Sequence, residues 1–299
     1  MPDDAAHAPA VVAEIASQPE CWRRAAAVAG GQAGALPRDG ERVAVVGCGT
    51  SWFVAQAYAA LREAAGRGET DAFAASEIPF DRPYDRLVAI SRSGTTTEVL
   101  DVLRRLAPGT ASVVLTGIVD APMAKLAGET VVLDFADETS VVQTRFATSA
   151  LALLRATLGH DIEAAAADAE TAVVAPLPLP VDTTEQVTFL GRGWTVGLAN
   201  EAALKCREAA GLWTESYPAM EYRHGPIAIT GPGRGVWMFG PAPAGLDEDI
   251  APTGGTFVAS ALDPMADLIR AQRFAVAAAH HRGLDPDNPR HLTRSVILG

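Results

Sequence analysis

Val43-Ala44-Val45-Val46-Gly47-Cys48-Gly49-Thr50-Ser51 and, 144 residues on (Gly47 to Gly191), Gln186-Val187-Thr188-Phe189-Leu190-Gly191-Arg192-Gly193-Trp194-Thr195 carry one pattern twice. Each is a short apolar run that stops at a Gly-x-Gly turn and a hydroxyl residue. An Ala-rich helix follows, about Trp52 to Ala65 after the first turn and ending near Ala210 after the second. A short apolar run closed by glycine reads as a buried strand, and strand, turn and helix in that order make half of a βαβ unit. Its recurrence marks an internal repeat and a duplicated α/β domain. The alternative is a coincidence between two ordinary glycine-bearing turns.

Working outward, Leu87-Val88-Ala89-Ile90, Ala111 to Thr116 and Thr130 to Asp134 read as further strands, with a helix from Glu98 to Leu106 between them. Short apolar strands alternating with helices predict parallel sheets covered on both faces. The expected fold is α/β, with two three-layer αβα domains. Residues 1–37 read as an N-terminal helical segment broken around Gln18-Pro19, and 38–174 as the first domain. The Pro-rich stretch from Ala175 to Pro180 makes 175–182 a linker, and 183–299 is the second domain with a C-terminal tail. A length of 299 residues accommodates two domains.

The 24 Lys and Arg face 36 Asp and Glu, a net charge of −12. That balance argues against a nucleic-acid partner, which needs a basic surface, and against an anionic membrane. It leaves room for a small anion in a locally positive pocket. Cys21, Cys48 and Cys206 form no CxxC pair, and no HxH or HExxH is present, so no metal site is expected. His7, His160, His280, His281 and His291 read as surface positions. The acidic start Met1-Pro2-Asp3-Asp4 is unlike a signal peptide, and no run approaches about 18 apolar residues. The expected location is the cytoplasm.

Ser91-Arg92-Ser93-Gly94-Thr95-Thr96-Thr97-Glu98 follows a strand and opens a helix, with Thr95 and Glu98 at capping-box spacing. Hydroxyls and an arginine around a helix N-terminus suit a phosphate dianion, although an elaborate N-cap would use the same residues. At Cys48-Gly49-Thr50-Ser51 the third glycine of a dinucleotide fingerprint is missing, and no Walker lysine follows either turn. The phosphate therefore belongs to a small molecule, and no cofactor is expected. Glu201, Lys205 and Glu208 fall at i, i+4 and i+7, on one helix face. They read either as a solvated charged stripe or as chemistry. His224, inside Tyr222-Arg223-His224-Gly225-Pro226, is held where a rigid loop would present an acid or base, or is merely structural.

Four motifs in one order carry a resemblance. They are Gly-Cys-Gly-Thr-Ser from Gly47, Ser-x-Ser-Gly-x-Thr from Ser91, Ala-Leu-Lys-x-Arg-Glu from Ala203 and Glu-x-Arg-His-Gly-Pro from Glu221. Together with Pro289-Arg290-His291-Leu292-Thr293-Arg294-Ser295 they resemble the sugar isomerase (SIS) family, and within it the isomerase half of the glucosamine-6-phosphate synthases. The resemblance spans essentially the whole chain.

It implies two SIS-type domains in a homodimer with shared active sites. Ser51, Ser91, Ser93 and Thr96 would hold a sugar phosphate beside Cys48, Gly49 and Thr50, and Arg92 would add charge. Val141 and Gln143 would line the sugar. Glu208 would be the enediol base with Lys205 beside it, and His224 would open the ring in the neighbouring subunit. Arg294 stands where the family has an imine-forming lysine; a guanidinium stays charged and forms no imine. Its side chain is expected to face the site and position the sugar by charge, the alternative being an ion pair at the surface. No glutaminase domain with its N-terminal cysteine nucleophile is present, so no ammonia source is expected within this sequence. The implied function is aldose–ketose isomerisation or amino-sugar deamination on a hexose or hexosamine 6-phosphate. The alternatives are a glycated-amine 6-phosphate deglycase and a non-catalytic phosphosugar-binding regulator.

Overall fold

The computed structural model describes residues 9–298. Met1 to Asp4, His7 and the start of the 1–37 segment lie outside the described residues. Within that segment run α1 (Ala10–Ala16) and α2 (Gln18–Gly31). The break falls at Ser17, and Pro19 sits in the first turn of α2, where its missing N–H leaves no bond unmade.

The chain then runs β1 (Val43–Gly47), α3 (Thr50–Ala64), β2 (Thr70–Ala74), β3 (Arg86–Ile90), α4 (Thr97–Arg105), β4 (Ala111–Thr116) and β5 (Glu129–Val132). These strands form a parallel sheet in the order β2-β1-β3-β4-β5. Helices α5 (Arg145–Thr157) and α6 (Ile162–Val174) follow. The second half repeats the plan with β6 (Gln186–Gly191), α7 (Thr195–Ala210), β7 (Trp213–Pro218), β8 (Arg234–Met238), α8 (Leu246–Ile250), β9 (Thr256–Val258) and α9 (Pro264–His281). Its parallel sheet is ordered β7-β6-β8-β9. In both sheets the winding reverses beside the first strand, so a crevice opens at the carboxyl ends of β1 and β3 and again at β6 and β8.

The strands read from sequence are present within two residues. Four escaped it, β2, β7, β8 and β9; of these, β2 and β7 are edge strands whose half-buried polar residues (Asp71, Glu215) interrupt any apolar run. The repeat extends into side chains. A Cβ on Gly47 would lie 2.7 Å from the Ser51 Cβ, and one on Gly191 would lie 2.2 Å from the Thr195 carbonyl oxygen, so only glycine permits either tight strand-to-helix turn. Where α3 crosses α7, Asn200 Nδ2 donates to Gln56 Oε1 at 2.7 Å, a pair at the same 144-residue offset (Gln56 to Asn200). Gly197 lets the backbones meet there, since a Cβ would sit 2.5 Å from the Phe53 carbonyl.

The Pro-rich stretch packs rather than hangs free. Leu179 is buried and fills the space over Gly235 of β8, and Arg273 Nη1 donates to the carbonyls of Ala172 and Ala175 at 2.8 and 2.6 Å.

Candidate active site

The turns after β1 and β3 face each other across a cavity of about 190 Å³. Cys48, Gly49, Thr50 and Ser51 line one wall, and Ser91, Arg92, Ser93 and Thr96 another. Val141 and Gln143 approach from the segment before α5, Glu208 from α7, and Thr293 to Val296 from the tail. Of the fourteen residues singled out from the sequence, twelve line this one space. Lys205 lies just behind it, and His224 does not reach it.

Ser51 opens α3, and Thr96 is the N-cap residue of α4, so two helix N-termini converge with hydroxyls on each. Ser91 Oγ accepts from the Gly94 N–H at 3.2 Å and lies 3.4 Å from Thr96 Oγ1; Ser93 Oγ accepts from Thr95 Oγ1 at 3.0 Å. Gln143 Oε1 is buried without a hydrogen-bond partner among the described residues, an unmet acceptor beside the cavity. Burial pushes the Cys48 thiol up to about 11, so it stays protonated and is no nucleophile at neutral pH.

Three expectations need correction or refinement here. The capping box of Thr95 and Glu98 does not form. The tail takes its place, with the Thr97 N–H donating to the Val296 carbonyl at 3.2 Å and Ser295 Oγ lying 2.9 Å from Thr95 Oγ1. Glu98 Oε2 is left buried without a partner.

Arg92 lines the cavity, but its guanidinium turns away from it. It donates to the Ser140, Val141 and Arg294 carbonyls at 2.9, 3.3 and 3.2 Å and lies 3.5 Å from the buried Glu138 carboxylate. Glu138 in turn accepts from the Thr144 and Arg145 N–H groups at 2.5 and 2.8 Å, and Glu14 accepts from the Thr139 N–H at 2.5 Å. Arg92 is thus a clasp that joins the Ser91 to Thr96 turn to the 140–143 segment and the tail. Neither glutamate stood out in the sequence, because a lone Glu between motifs carries no signal of burial.

Arg294 combines both earlier alternatives: it lines the cavity while its guanidinium pairs with Asp137 and donates to the Glu138 carbonyl. His160, His280, His281 and His291 are exposed, as expected, and His224 is exposed on the short turn Glu221–His224 beyond β7. No cluster of three or more metal-ligating side chains occurs among the described residues.

Behind the cavity lies a buried charge relay along α7. Lys205 Nζ donates to Thr50 Oγ1 at 2.9 Å and to the Glu208 carboxylate, and lies 3.6 Å from Glu201. Lys205 and Glu201 are buried, whereas the Glu208 side chain keeps 20% of its surface exposed, toward the cavity. Burial pushes Glu201 up to about 8, with Glu208 repelling its charge and Lys205 opposing the rise. Burial works against the Lys205 ammonium, but Glu201 and Glu208 outweigh it and hold its pKa above the ordinary value. The three residues sit on one face as the sequence implied, and the solvated-stripe reading is excluded. The arrangement presents a carboxylate steadied by a fixed cation beside an anion cradle, which is equipment for moving a proton next to a carbonyl.

Fold and site together give an α/β protein with two parallel sheets. The chain is similar to the isomerase half of glucosamine-6-phosphate synthase. The glutamine–fructose-6-phosphate aminotransferase (isomerizing) of Gloeobacter violaceus is 29% identical over 87% of this chain and 52% of its own length. The chain therefore spans about half the length of the curated relatives it matches. Among solved structures, glucosamine-6-phosphate deaminase from Thermotoga maritima superposes with a TM-score of 0.81 at 23% identity, covering 96% of this chain and 99% of that one. The C-terminal domain of glucosamine-fructose-6-phosphate aminotransferase from Francisella tularensis gives 0.79 at 20% identity, over 96% and 99%. No protein-family model matches the chain.

Proposed function

We propose that this chain is a sugar-phosphate isomerase or deaminase acting on a hexose or hexosamine 6-phosphate. The observation that carries the reading is the Glu208 carboxylate, backed by buried Lys205, opening into the same cavity as two hydroxyl-bearing helix N-termini. Ser51, Ser91, Ser93 and Thr96 take the phosphate; Cys48, Gly49 and Thr50 wall that end; Val141 and Gln143 flank the sugar. Glu208 moves a proton between C1 and C2, Lys205 steadies the enediolate, and Arg294 orients the open chain without an imine. The names of the similar proteins, an isomerizing aminotransferase and a deaminase, support the reaction class. A binding-only regulator would have no use for a carboxylate and a buried cation at the reacting end. We place the enzyme in the cytoplasm and read 38–174 and 183–299 as its two domains.

The test is a panel of hexose and hexosamine 6-phosphates followed by NMR in D2O. Deuterium entering at C1 or C2, with ketose formation or ammonia release, supports the reading; thermal stabilisation by a sugar phosphate with no exchange at all would make the chain a binding module. In the same assay the double change Ser91→Ala with Ser93→Ala is expected to weaken substrate binding by roughly 2–4 kcal/mol, taking about 1–2 kcal/mol per hydrogen bond to a charged acceptor. Unchanged affinity would remove the phosphate from this turn.

His224 enters this proposal through a second copy. It is exposed and away from the cavity of its own chain, so we assign it to ring opening in the partner's site of a homodimer. Mixing inactive His224→Ala with inactive Glu208→Gln subunits is expected to recover part of the activity, because each hybrid dimer holds one intact site. Mixtures that stay inactive after subunit exchange would show that His224 does not serve a neighbour.

A further inference from the structure

Away from the hydroxyl-lined cavity, α1, α6 and α9 enclose another of about 360 Å³, which shares no residue with the first. Val12, Ile15 and Ala16 of α1, Val173 of α6, Leu177 of the Pro-rich stretch and Val276 of α9 give it apolar walls. Small-molecule pockets run from about 300 to 1,000 Å³ and combine such walls with a few polar groups. Here the polar side chains are Arg273 and His280, seven residues apart on α9 and so on one face of that helix. No acidic side chain lines the cavity among the described residues.

Arg273 is the anchor. Its Nη1 is occupied by the carbonyls of Ala172 and Ala175, which fixes the guanidinium at the end of α6. Nε and Nη2 have no partner among the described residues, and they form the edge that a carboxylate meets with two parallel bonds. Burial, with Arg270 one turn earlier repelling the charge, holds the Arg273 pKa below the ordinary arginine value, so an arriving anion relieves an unfavourable charge.

The cavity also has a mechanical neighbour. Val12 and Ala16 lie one turn apart on α1, and Glu14, two residues from each, falls on the other side of the helix. The Glu14 carboxylate accepts from the Thr139 and Ser140 N–H groups at 2.5 and 3.3 Å and from Ser140 Oγ, just ahead of Val141 and Gln143. Asp287 of the tail accepts from the first two N–H groups of α1, Ala10 and Val11, at 2.6 and 2.9 Å. Its own carbonyl accepts from the Val141 N–H at 3.0 Å. Helix α1 is thus a wedge between the apolar cavity and one wall of the hydroxyl-lined cavity.

We infer that the cavity between α1, α6 and α9 is an effector site for a small organic acid, a carboxylate on an apolar body, whose binding steadies α1 and through it the 139–143 wall. The carboxylate pairs with Arg273, the body covers the apolar walls, and exposed His280 stands at the rim. A cavity of about 150 Å³ already holds benzene, so a body of about eight carbons fits here with room to spare.

Calorimetric titration with octanoate, octylammonium and acetate, all below micelle-forming concentrations, tests the site. Octanoate is expected to bind at least about 10-fold more tightly than the other two, the worth of one charge-assisted hydrogen bond or of a few buried carbons. That comparison needs no variant. Arg273→Gln keeps a donor for the two carbonyls but loses the cation, and should remove the preference for octanoate over octylammonium. Ala16→Trp, at an exposed position, fills the cavity and should abolish octanoate binding. Hydrogen exchange read by mass spectrometry tests the coupling. Octanoate should slow exchange in segment 139–143 by about 5-fold, a typical coupling between sites, and should not do so in Arg273→Gln. Octanoate binding no tighter than octylammonium, or unmoved by both substitutions, would overturn the site. Protection confined to α6 and α9 would overturn the effector role.

Discussion

Glu208→Gln is expected to lower turnover by about 100-fold or more while substrate affinity survives. The amide keeps the size and planar shape of the carboxylate, so its oxygen can still accept from Lys205 Nζ and the wall of the cavity is preserved. What it loses is the ability to take a proton, and removal of a positioned general base typically costs about 10²–10⁴-fold. The loss should therefore appear in kcat rather than in the binding constant. The decisive measurement is the rate at which solvent deuterium enters the substrate at C1 or C2. Exchange at the wild-type rate would show that another group moves the proton. The carboxylate then merely neutralises Lys205.

Lys205→Met should damage both stability and turnover. Its ammonium is the only cation within reach of Glu201 among the described ion pairs, and Glu201 is buried with neither oxygen hydrogen-bonded among the described residues. Removing one partner of a buried pair costs about 3–5 kcal/mol, because the other charge stays uncompensated. Burial already pushes Glu201 up to about 8, so the carboxyl can answer by holding a proton, which places the expected loss near the lower end of that range. Urea unfolding at pH 7 measures it. The double variant Glu201→Gln with Lys205→Met should regain part of the stability but none of the turnover, since the cation beside Glu208 is still missing. A single variant as stable as the parent would mean that the buried triad is not under electrostatic tension.

Much of this arrangement was legible in the sequence because its signals are local. A Gly-x-Gly turn after an apolar run reports a strand end whatever surrounds it, so β1, β6 and the helices after them emerged from a few residues each. The hydroxyls of the Ser91 to Thr96 turn and the i, i+4, i+7 spacing of Glu201, Lys205 and Glu208 are local in the same sense. What escaped was set by partners distant in sequence. The cap of α4 comes from Val296, some 200 residues away, so the spacing of Thr95 and Glu98 suggested a bond that the tail displaces. The sequence placed Arg92 on the turn but said nothing of Ser140 or Glu138, which claim its guanidinium. Edge strands β2 and β7 lacked an apolar pattern because one side of each has no neighbouring strand to bury it.

The crossing of α3 and α7 has a metric consequence. The hydroxyl-lined turns hang from the first sheet, whereas Glu208 is carried by a helix of the second, and Gly197 fixes how closely the two helices approach. On the proposed reading a substrate must span from one to the other, so the crossing acts as a ruler for carbon number. A sugar phosphate one carbon shorter, anchored by the same oxyanion, would leave its carbonyl short of the carboxylate by about 1 Å. Misplacement on that scale costs about 10²-fold in rate. Selectivity for chain length is thus written into a backbone contact between the halves, at a distance from every atom that touches the sugar.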